Sequence, residues 1–451
     1  MENSNHSIVI GAGLVGSLLA INLAKRGHKV GVYEYRPDMR QADIYAGRSI
    51  NLALSTRGWT ALDKIGVGDK IREIGIPMYG RQIHNADGTE TYQPYGKENE
   101  AIYSVSRGEL NKQLIIEADK HENVQFYFNQ KLIKNDMKRN HLLMHDMKLN
   151  ENHEISGDVI FGADGAFSRV RYGMQKMPRF DYSQQHLPHV YKELTIPAGE
   201  NGSFQIKKNA LHIWPRGNFM MIALPNIDGS FTCTLFVPHD GKDSINHIQT
   251  ENDVIKYMMN HFADVVPFMP DMTNVFLKNP NSSLVTVRCF PWVNGRTALI
   301  GDACHAIVPF YGQGMNCGFE DVRVLDELID ENENDWDKIL LAYEHARKPN
   351  GDAIADLALQ NFIEMRDLVA DPKFILRKKI EKYLHEHMGN DFLPLYSMVS
   401  FSNVPYAEAL AEGKRQDALM DDILAFEHIE SNWQSENTVS YAREWLKNNK
   451  R

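Results

Sequence analysis

The residues best placed to do chemistry sit at the start of the chain. Gly11-x-Gly13-x-x-Gly16 follows the apolar run Ser7-Ile8-Val9-Ile10 and opens a stretch of helix formers that ends at Arg26, with Gly27 as a stop. At this spacing the first glycine permits a tight turn and the second admits a pyrophosphate to the backbone. The third lets helix and strand pack closely. Leu14 and Val15 begin the helix, whose unpaired N–H groups and dipole favour phosphate. Glu34 stands at the end of the next apolar run, about 20 residues on, where a carboxylate accepts hydrogen bonds from ribose hydroxyls. It would repel a 2′-phosphate, so the pattern favours FAD or NAD over NADP. Glycines also mark ordinary turns; the strand before, the helix after and the position of Glu34 distinguish a dinucleotide site from one.

Two later segments decide between the cofactors. Gly162-Ala163-Asp164-Gly165 follows the apolar Val159-Ile160-Phe161, and Gly301-Asp302 follows Arg296 to Ile300. An aspartate at a strand end can bind a ribityl hydroxyl. Gly312-Gln313-Gly314-Met315-Asn316 then leaves N–H groups free at the start of a helix predicted over 314–332. Aimed at the flavin N1/C2=O edge, that terminus would stabilise an anionic reduced flavin.

Other pairings are weaker. Cys304 beside His305 resembles a nucleophile and its base, but sequence neighbours need not face one another. His385-Glu386-His387 and His186-x-x-His189 lack further ligands at metal-site spacing, so no metal is expected. Asn5-His6-Ser7, Asn201-Gly202-Ser203 and Asn281-Ser282-Ser283 are sequons of no consequence in a cytosolic protein.

The elements around these motifs begin with a strand, glycine turn, helix and strand, a βαβ opening. A helix is predicted from Arg107 to His121. From about Asp181 to Thr286 the pattern is β-rich, with strands at Ala210–Pro215, Phe219–Leu224 and Phe231–Val237 and a turn at Asn226–Gly229. Beyond Trp336 the chain reads as helical, interrupted near Asp371-Pro372, Gly389-Asn390 and Asn403-Val404-Pro405.

The chain has 451 residues, 43% of them hydrophobic, enough for one to three domains with a large core. Forty-nine basic residues against 59 acidic ones give a formal charge of −10, which argues against a general nucleic-acid binder. The four cysteines show no CxxC pair, and a reducing, cytoplasmic setting is expected. The first residues lack a basic signal-peptide start, no stretch reaches membrane-span length, and the C-terminal stretch from Glu427 is polar.

The three motifs, in this order and spanning residues 8 to 321, resemble the FAD-dependent aromatic hydroxylases of the single-component, p-hydroxybenzoate-hydroxylase-like group. Six segments are similar, more narrowly, to the kynurenine 3-monooxygenase branch. They are Gly47–Ser55, Tyr103–Arg107, His212–Gly217, Val308–Asn316, Asn361–Asp367 and Pro394–Val399. The last two lie where the general flavin fold dictates nothing, so they are the most specific.

The resemblance implies an α/β fold. A Rossmann-like FAD-binding domain (1–75, 100–178, 285–345) would carry an inserted mixed β-sheet substrate domain (76–99, 179–284) and a helical C-terminal region (346–451). It implies FAD as cofactor, held by Gly11, Gly13, Leu14, Val15, Gly16, Glu34, Arg107, Asp164, Asp302, Gly312, Gly314, Met315 and Asn316. NADPH, O2 and L-kynurenine would be the reactants, and oxygen would reach ring carbon C3 through a C4a-hydroperoxyflavin, with no catalytic side chain required. Arg81 and Tyr95 would hold the substrate carboxylate, as a guanidinium fork suits. Asn361 and Tyr396 would be polar partners, and Ile222, Leu224, Phe236, Pro309, Phe310 and Met365 the apolar walls. The competing readings are a hydroxylase of another aromatic acid and a non-hydroxylating FAD redox protein; the latter would not need a pocket lined from three regions. Tyr311, where relatives are expected to carry histidine, and a polar tail in place of a membrane anchor are the departures. Monomer and dimer both stay open.

Overall fold

The computed structural model describes residues 6–41, 51–95, 100–368 and 371–449. Residues 47–50 of the Gly47–Ser55 segment lie outside them.

The opening βαβ expectation is met. Strands His6–Ile10 and Lys29–Glu34 pair in parallel, joined by the Leu14–Lys25 helix. They belong to a six-stranded sheet with Val124–Phe128 at one edge and Val159–Gly162, Thr297–Leu299 and Val293–Asn294 on the other side. Ile8, Val9, Val32, Val159 and Ile160 are almost fully buried in a core shared with helices and with the three-stranded sheet of Gln130–Asp136, His141–Asp146 and Glu151–Ser156, so the strands are continuous apolar runs. His6–Ile10 lies between Lys29–Glu34 and Val159–Gly162. The glycine loop therefore leaves the carboxyl end of the strand where the sheet order reverses, the usual ligand crevice of such sheets.

A second, seven-stranded sheet runs Ser282–Phe290, Asp181–Ile196, Phe231–Pro238, Met220–Pro225, Leu211–Pro215, Gly80–His84, Glu90–Pro94. It is antiparallel except where Leu211–Pro215 meets Gly80–His84 in parallel, so the expected mixed sheet is present. Alternation decides which side chain faces where. Arg81, Ile83, Leu211 and Ile213 share one face, and Gln82, His84, His212 and Trp214 share the other. The second face is covered by the helices Glu251–His261 and Met272–Lys278, which bury Val254, Tyr257, Met258 and Phe276 against Trp214 and Leu235. This corrects the β-rich reading of the whole 181–286 stretch. The signal was Thr250 with Asp253, a capping box in which each side chain satisfies the other's backbone N–H, ahead of apolar residues at helical spacing.

The first face of this sheet packs on the C-terminal helices. The Trp336–Ile363 helix runs unbroken through positions 345–346 and ends in a π-helical turn, Glu364–Leu368. Pro372–Met388, Leu395–Ser400, Tyr406–Leu424 and Glu436–Asn448 complete the region. Among the described residues no helix is long and apolar enough to cross a membrane.

Candidate active site

The glycine loop is built by contacts that leave no room for side chains. A Cβ on Gly16 would lie 2.0 Å from the Gly11 carbonyl oxygen, and one on Gly11, whose φ is +106°, would lie 2.6 Å from the Ala163 oxygen. Gly13 differs: a Cβ there would meet nothing within 4 Å. The open space beside its backbone is the cradle a pyrophosphate would occupy. Glu34 is buried, and its Oε2 accepts the Ala12 N–H at 2.8 Å while Oε1 takes the Arg36 Nε at 2.7 Å. The carboxylate is thereby fixed beside the loop with lone pairs left over for a ribose. Asn111, which sequence reasoning missed, donates to the Ala12 carbonyl at 3.1 Å and braces the loop from the Arg107–Asp119 helix. Arg107 itself is exposed at the start of that helix.

Asp164 follows the Val159–Gly162 strand. Its Oδ2 accepts the N–H groups of Arg169 and Val170 at 2.7 and 3.2 Å, whereas its Oδ1 is buried without a partner. Burial raises this carboxyl's pKa against the pull of Ser168 and those N–H groups. A buried oxygen left unpaired is costly unless a ligand hydroxyl completes it. Arg171 ties the Asp164 loop to the Asp302 loop, donating to the carbonyls of Ala166 at 2.6 Å and Ala303 at 2.7 Å. Asp302 opens a short helix, Asp302–His305. Gly312, in the left-handed region at φ +67°, turns the chain into the Gly314–Glu331 helix, whose first N–H groups have no acceptor within the helix. Leu14 and Val15 lie partly buried at the start of the first helix, with Val15 pressed against Gly301 and Gly318. Asn316 points inward rather than outward: it accepts the Ser55 N–H at 2.9 Å and donates to the carbonyls of Ala53 and Gly312 at 2.8 Å. Its side chain builds the loop, and Gly314 and Met315 stand beside it at the helix start. The open cradle at Gly13, the orphaned Asp164 oxygen and the free helix terminus fit a flavin dinucleotide.

The proposed substrate residues gather between the second sheet and the C-terminal helices. Arg81 lies under two rings, its guanidinium 4.8 Å from the Tyr396 centroid and 5.6 Å from that of Tyr95. Tyr95 and Tyr396 stack at 5.2 Å, and Tyr311 stacks on the far side of Tyr396 at 5.6 Å. The Nε of Arg81 and the hydroxyl of Tyr95 are buried with no hydrogen-bond partner. Burial works against the Arg81 charge, but the oxygens of Tyr396, Tyr95 and Glu364 outweigh it and hold the guanidinium charged. Two donors are thus buried side by side, the arrangement a carboxylate would satisfy. Burial also pushes the Tyr95 and Tyr311 phenols well above their ordinary range, so both are neutral donors.

Phe236, Phe310, Met365 and Ile222 fall in one apolar cluster with Tyr311 and Tyr396, and Ile222 bridges to a second cluster with Leu224 and Tyr95. The Phe310 ring lies 4.8 Å from Phe236 and 4.2 Å from Phe362. Pro309 is exposed at the head of the Pro309–Tyr311 turn. Asn361 is buried, and its amide is spent locally on the Phe310 carbonyl at 2.6 Å and the Met365 sulfur at 3.3 Å. It shapes the wall directly.

The remaining motifs resolve as structure. Cys304 donates to the Gly301 carbonyl at 3.2 Å, and burial pushes its thiol up to about 11, so it is not a nucleophile. Cys304, His305 and Asp321 place ligand atoms within 4.8 Å of one another. Yet the Asp321 oxygens are taken by His305 at 2.5 Å, Arg347 at 2.7 Å and the Gly301 N–H at 3.1 Å. Burial works against both charges of this pair, and their mutual attraction wins, with Asp321 pulled down to about 2 and His305 held protonated. It is an ion pair, not a metal site. His385 and His387 are bonded to the carbonyls of Phe392 and Tyr383, both at 2.8 Å.

Comparison with known proteins points to the same cofactor class. The FAD binding domain family model matches residues 5–358. A relative named kynurenine 3-monooxygenase from Flavobacterium johnsoniae is 50% identical, covering 96% of this chain and 97% of its own. Another of that name from Flavobacterium psychrophilum is 49% identical, covering 97% of each. Among solved structures, 2-methyl-3-hydroxypyridine-5-carboxylic acid oxygenase superposes with a TM-score of 0.67 at 18% identity, over 88% of this chain and 96% of that one, a likeness of fold. With a flavin cradle assembled from three loops and half the sequence shared with these relatives end to end, the chain belongs to the kynurenine 3-monooxygenase family of FAD-dependent monooxygenases.

Proposed function

We propose that the protein hydroxylates L-kynurenine at C3, giving 3-hydroxykynurenine, with NADPH and O2 as co-substrates. The observation that carries this reading is the buried pair of unpaired donors, Arg81 Nε and Tyr95 hydroxyl, beside an apolar wall of Ile222, Phe236, Phe310 and Met365. An aromatic amino acid has one end for each. FAD, when bound, supplies the redox and oxygen-transfer chemistry. Gly13, Asp164 and the N-terminus of the Gly314–Glu331 helix would hold it.

The side chains of this protein bind and orient. Arg81 pins the carboxylate, and the stacked Tyr95 and Tyr396 restrict how the amino-acid end can turn, so the ring is presented in few orientations. Phe236, Phe310 and Met365 exclude water from the space the ring would fill. The ring amine already makes the neighbouring carbon nucleophilic, so no protein base is needed at that step. The test is NADPH oxidation by the purified yellow protein with and without kynurenine, with the product identified. Oxidation that kynurenine does not stimulate, or that yields no 3-hydroxykynurenine, would sink the proposal.

A further inference from the structure

Arg57 is fully buried and lies just past the Gly47–Ser55 segment, outside every motif above, yet it meets both halves of the proposed site. It lies on the Thr56–Lys64 helix. Its Nε donates to the Val399 carbonyl at 3.1 Å and its Nη2 to the Met398 carbonyl at 3.2 Å, with Nη2 also on the Val404 carbonyl. Met398 and Val399 end the Leu395–Ser400 helix, where carbonyls lose their intrahelical partners. That helix is the one that sets Tyr396 over Arg81. The helix has less than two turns, so its own hydrogen bonds hold it weakly.

The other side of the same guanidinium faces the flavin loops. Nη1 pairs with Glu320 at 2.6 Å, in the second turn of the Gly314–Glu331 helix. Glu320 also accepts from Arg347 at 2.7 Å, and Arg347 donates to Asp321, which accepts the Gly301 N–H. The Arg57 guanidinium lies 3.8 Å from the ring centroid of Tyr406, whose hydroxyl donates to Gln313 at 2.8 Å, immediately before that helix. One planar fork therefore caps the Tyr396 helix and grips the helix whose N-terminus faces the flavin.

We propose that Arg57 is a positioning residue that fixes Tyr396, and with it the carboxylate pocket, relative to the flavin-facing helix. The proposal rests on the functional reading above. A lysine at this position would keep one charge for Glu320, but a single ammonium cannot span the carbonyls as the fork does. In the FAD-loaded enzyme, Arg57→Lys should raise the kynurenine KM about fivefold or more, with a smaller change in kcat, because misplacing a substrate-orienting group costs binding geometry. Its FAD content and resting flavin spectrum should match wild type. Ser402→Ala loosens the same turn from the other side, since Ser402 donates to the Met398 carbonyl at 2.6 Å and accepts the Val404 N–H at 3.2 Å. It should move KM in the same direction, and it carries the test if Arg57→Lys does not load FAD. A wild-type KM in either FAD-loaded variant, or a KM rise matched by loss of FAD, would overturn the proposal. Wild-type turnover of kynurenine, run alongside, tests the functional reading separately.

Discussion

On the proposed function, Arg81 is the residue on which substrate choice would turn. Its charge is maintained in a largely buried site beside Tyr396 and beside Tyr95 and Tyr311, whose phenols burial holds well above their ordinary range and therefore neutral. Arg81→Ala should therefore raise the kynurenine KM about tenfold or more, the loss of a charge-assisted pair, with kcat less affected. Steady-state kinetics check this, and an unchanged KM would put the carboxylate elsewhere. The glycines give a sharper pair of expectations. Gly16→Ala forces a Cβ onto the Gly11 carbonyl, so it should lower the melting temperature of the flavin-free protein. Gly13→Ala meets open space and has an ordinary backbone, φ −74°, so the flavin-free protein should melt as wild type does and only FAD affinity should fall. Melting curves with and without added FAD separate the two.

At the scale of elements, the sheet that carries Arg81 has a pH-sensitive back. His84 and His212 stack 5.1 Å apart and share a 2.8 Å hydrogen bond, and burial pushes both down to about 4 despite Asp264 near His84 and Glu90 near His212. The unfolded chain binds their protons near pH 6.5, so stability from these groups is full above that pH and falls as pH drops toward 4. His305, held protonated by Asp321, works in the opposite sense and contributes at low pH. His84→Gln should therefore flatten the decline in melting temperature between pH 7 and 5 relative to wild type, and an unchanged slope would show that this pair is not the cause. What was legible in the sequence follows the same division. The βαβ opening and the strands at 210–237 were readable because their periodicity and turns are local. The helices covering the histidine face lie inside a stretch whose overall pattern is β-rich, and Thr250 with Asp253 is the local signal for one of them. The Asn361 amide nitrogen bonds the Phe310 carbonyl and the Met365 sulfur, and the Asn316 side chain ties the loop, orientations that a sequence motif does not encode.

Over the whole molecule, the proposed site lies where three parts meet. The parallel sheet supplies the flavin cradle, the second sheet supplies Arg81 and half the apolar wall, and the C-terminal helices supply Tyr396, Met365 and Phe362. The chain's charge of −10 is unfavourable for the carboxylate end of an otherwise net-neutral amino acid, so Arg81 would have to offset it locally. The buried circuit through Arg57, Glu320, Arg347 and Asp321 had no sequence signal, since its members are scattered over nearly 300 residues and each looks like a surface charge in isolation. Such pairs cost about 3–5 kcal/mol when one partner is removed, which makes them suited to locking one domain arrangement. The fate of the oxygen atom is decisive. Turnover of L-kynurenine by the FAD-loaded protein with NADPH under 18O2 should give 3-hydroxykynurenine carrying a single labelled oxygen on the ring. NADPH consumption that produces only hydrogen peroxide, or a product without the label, would contradict it.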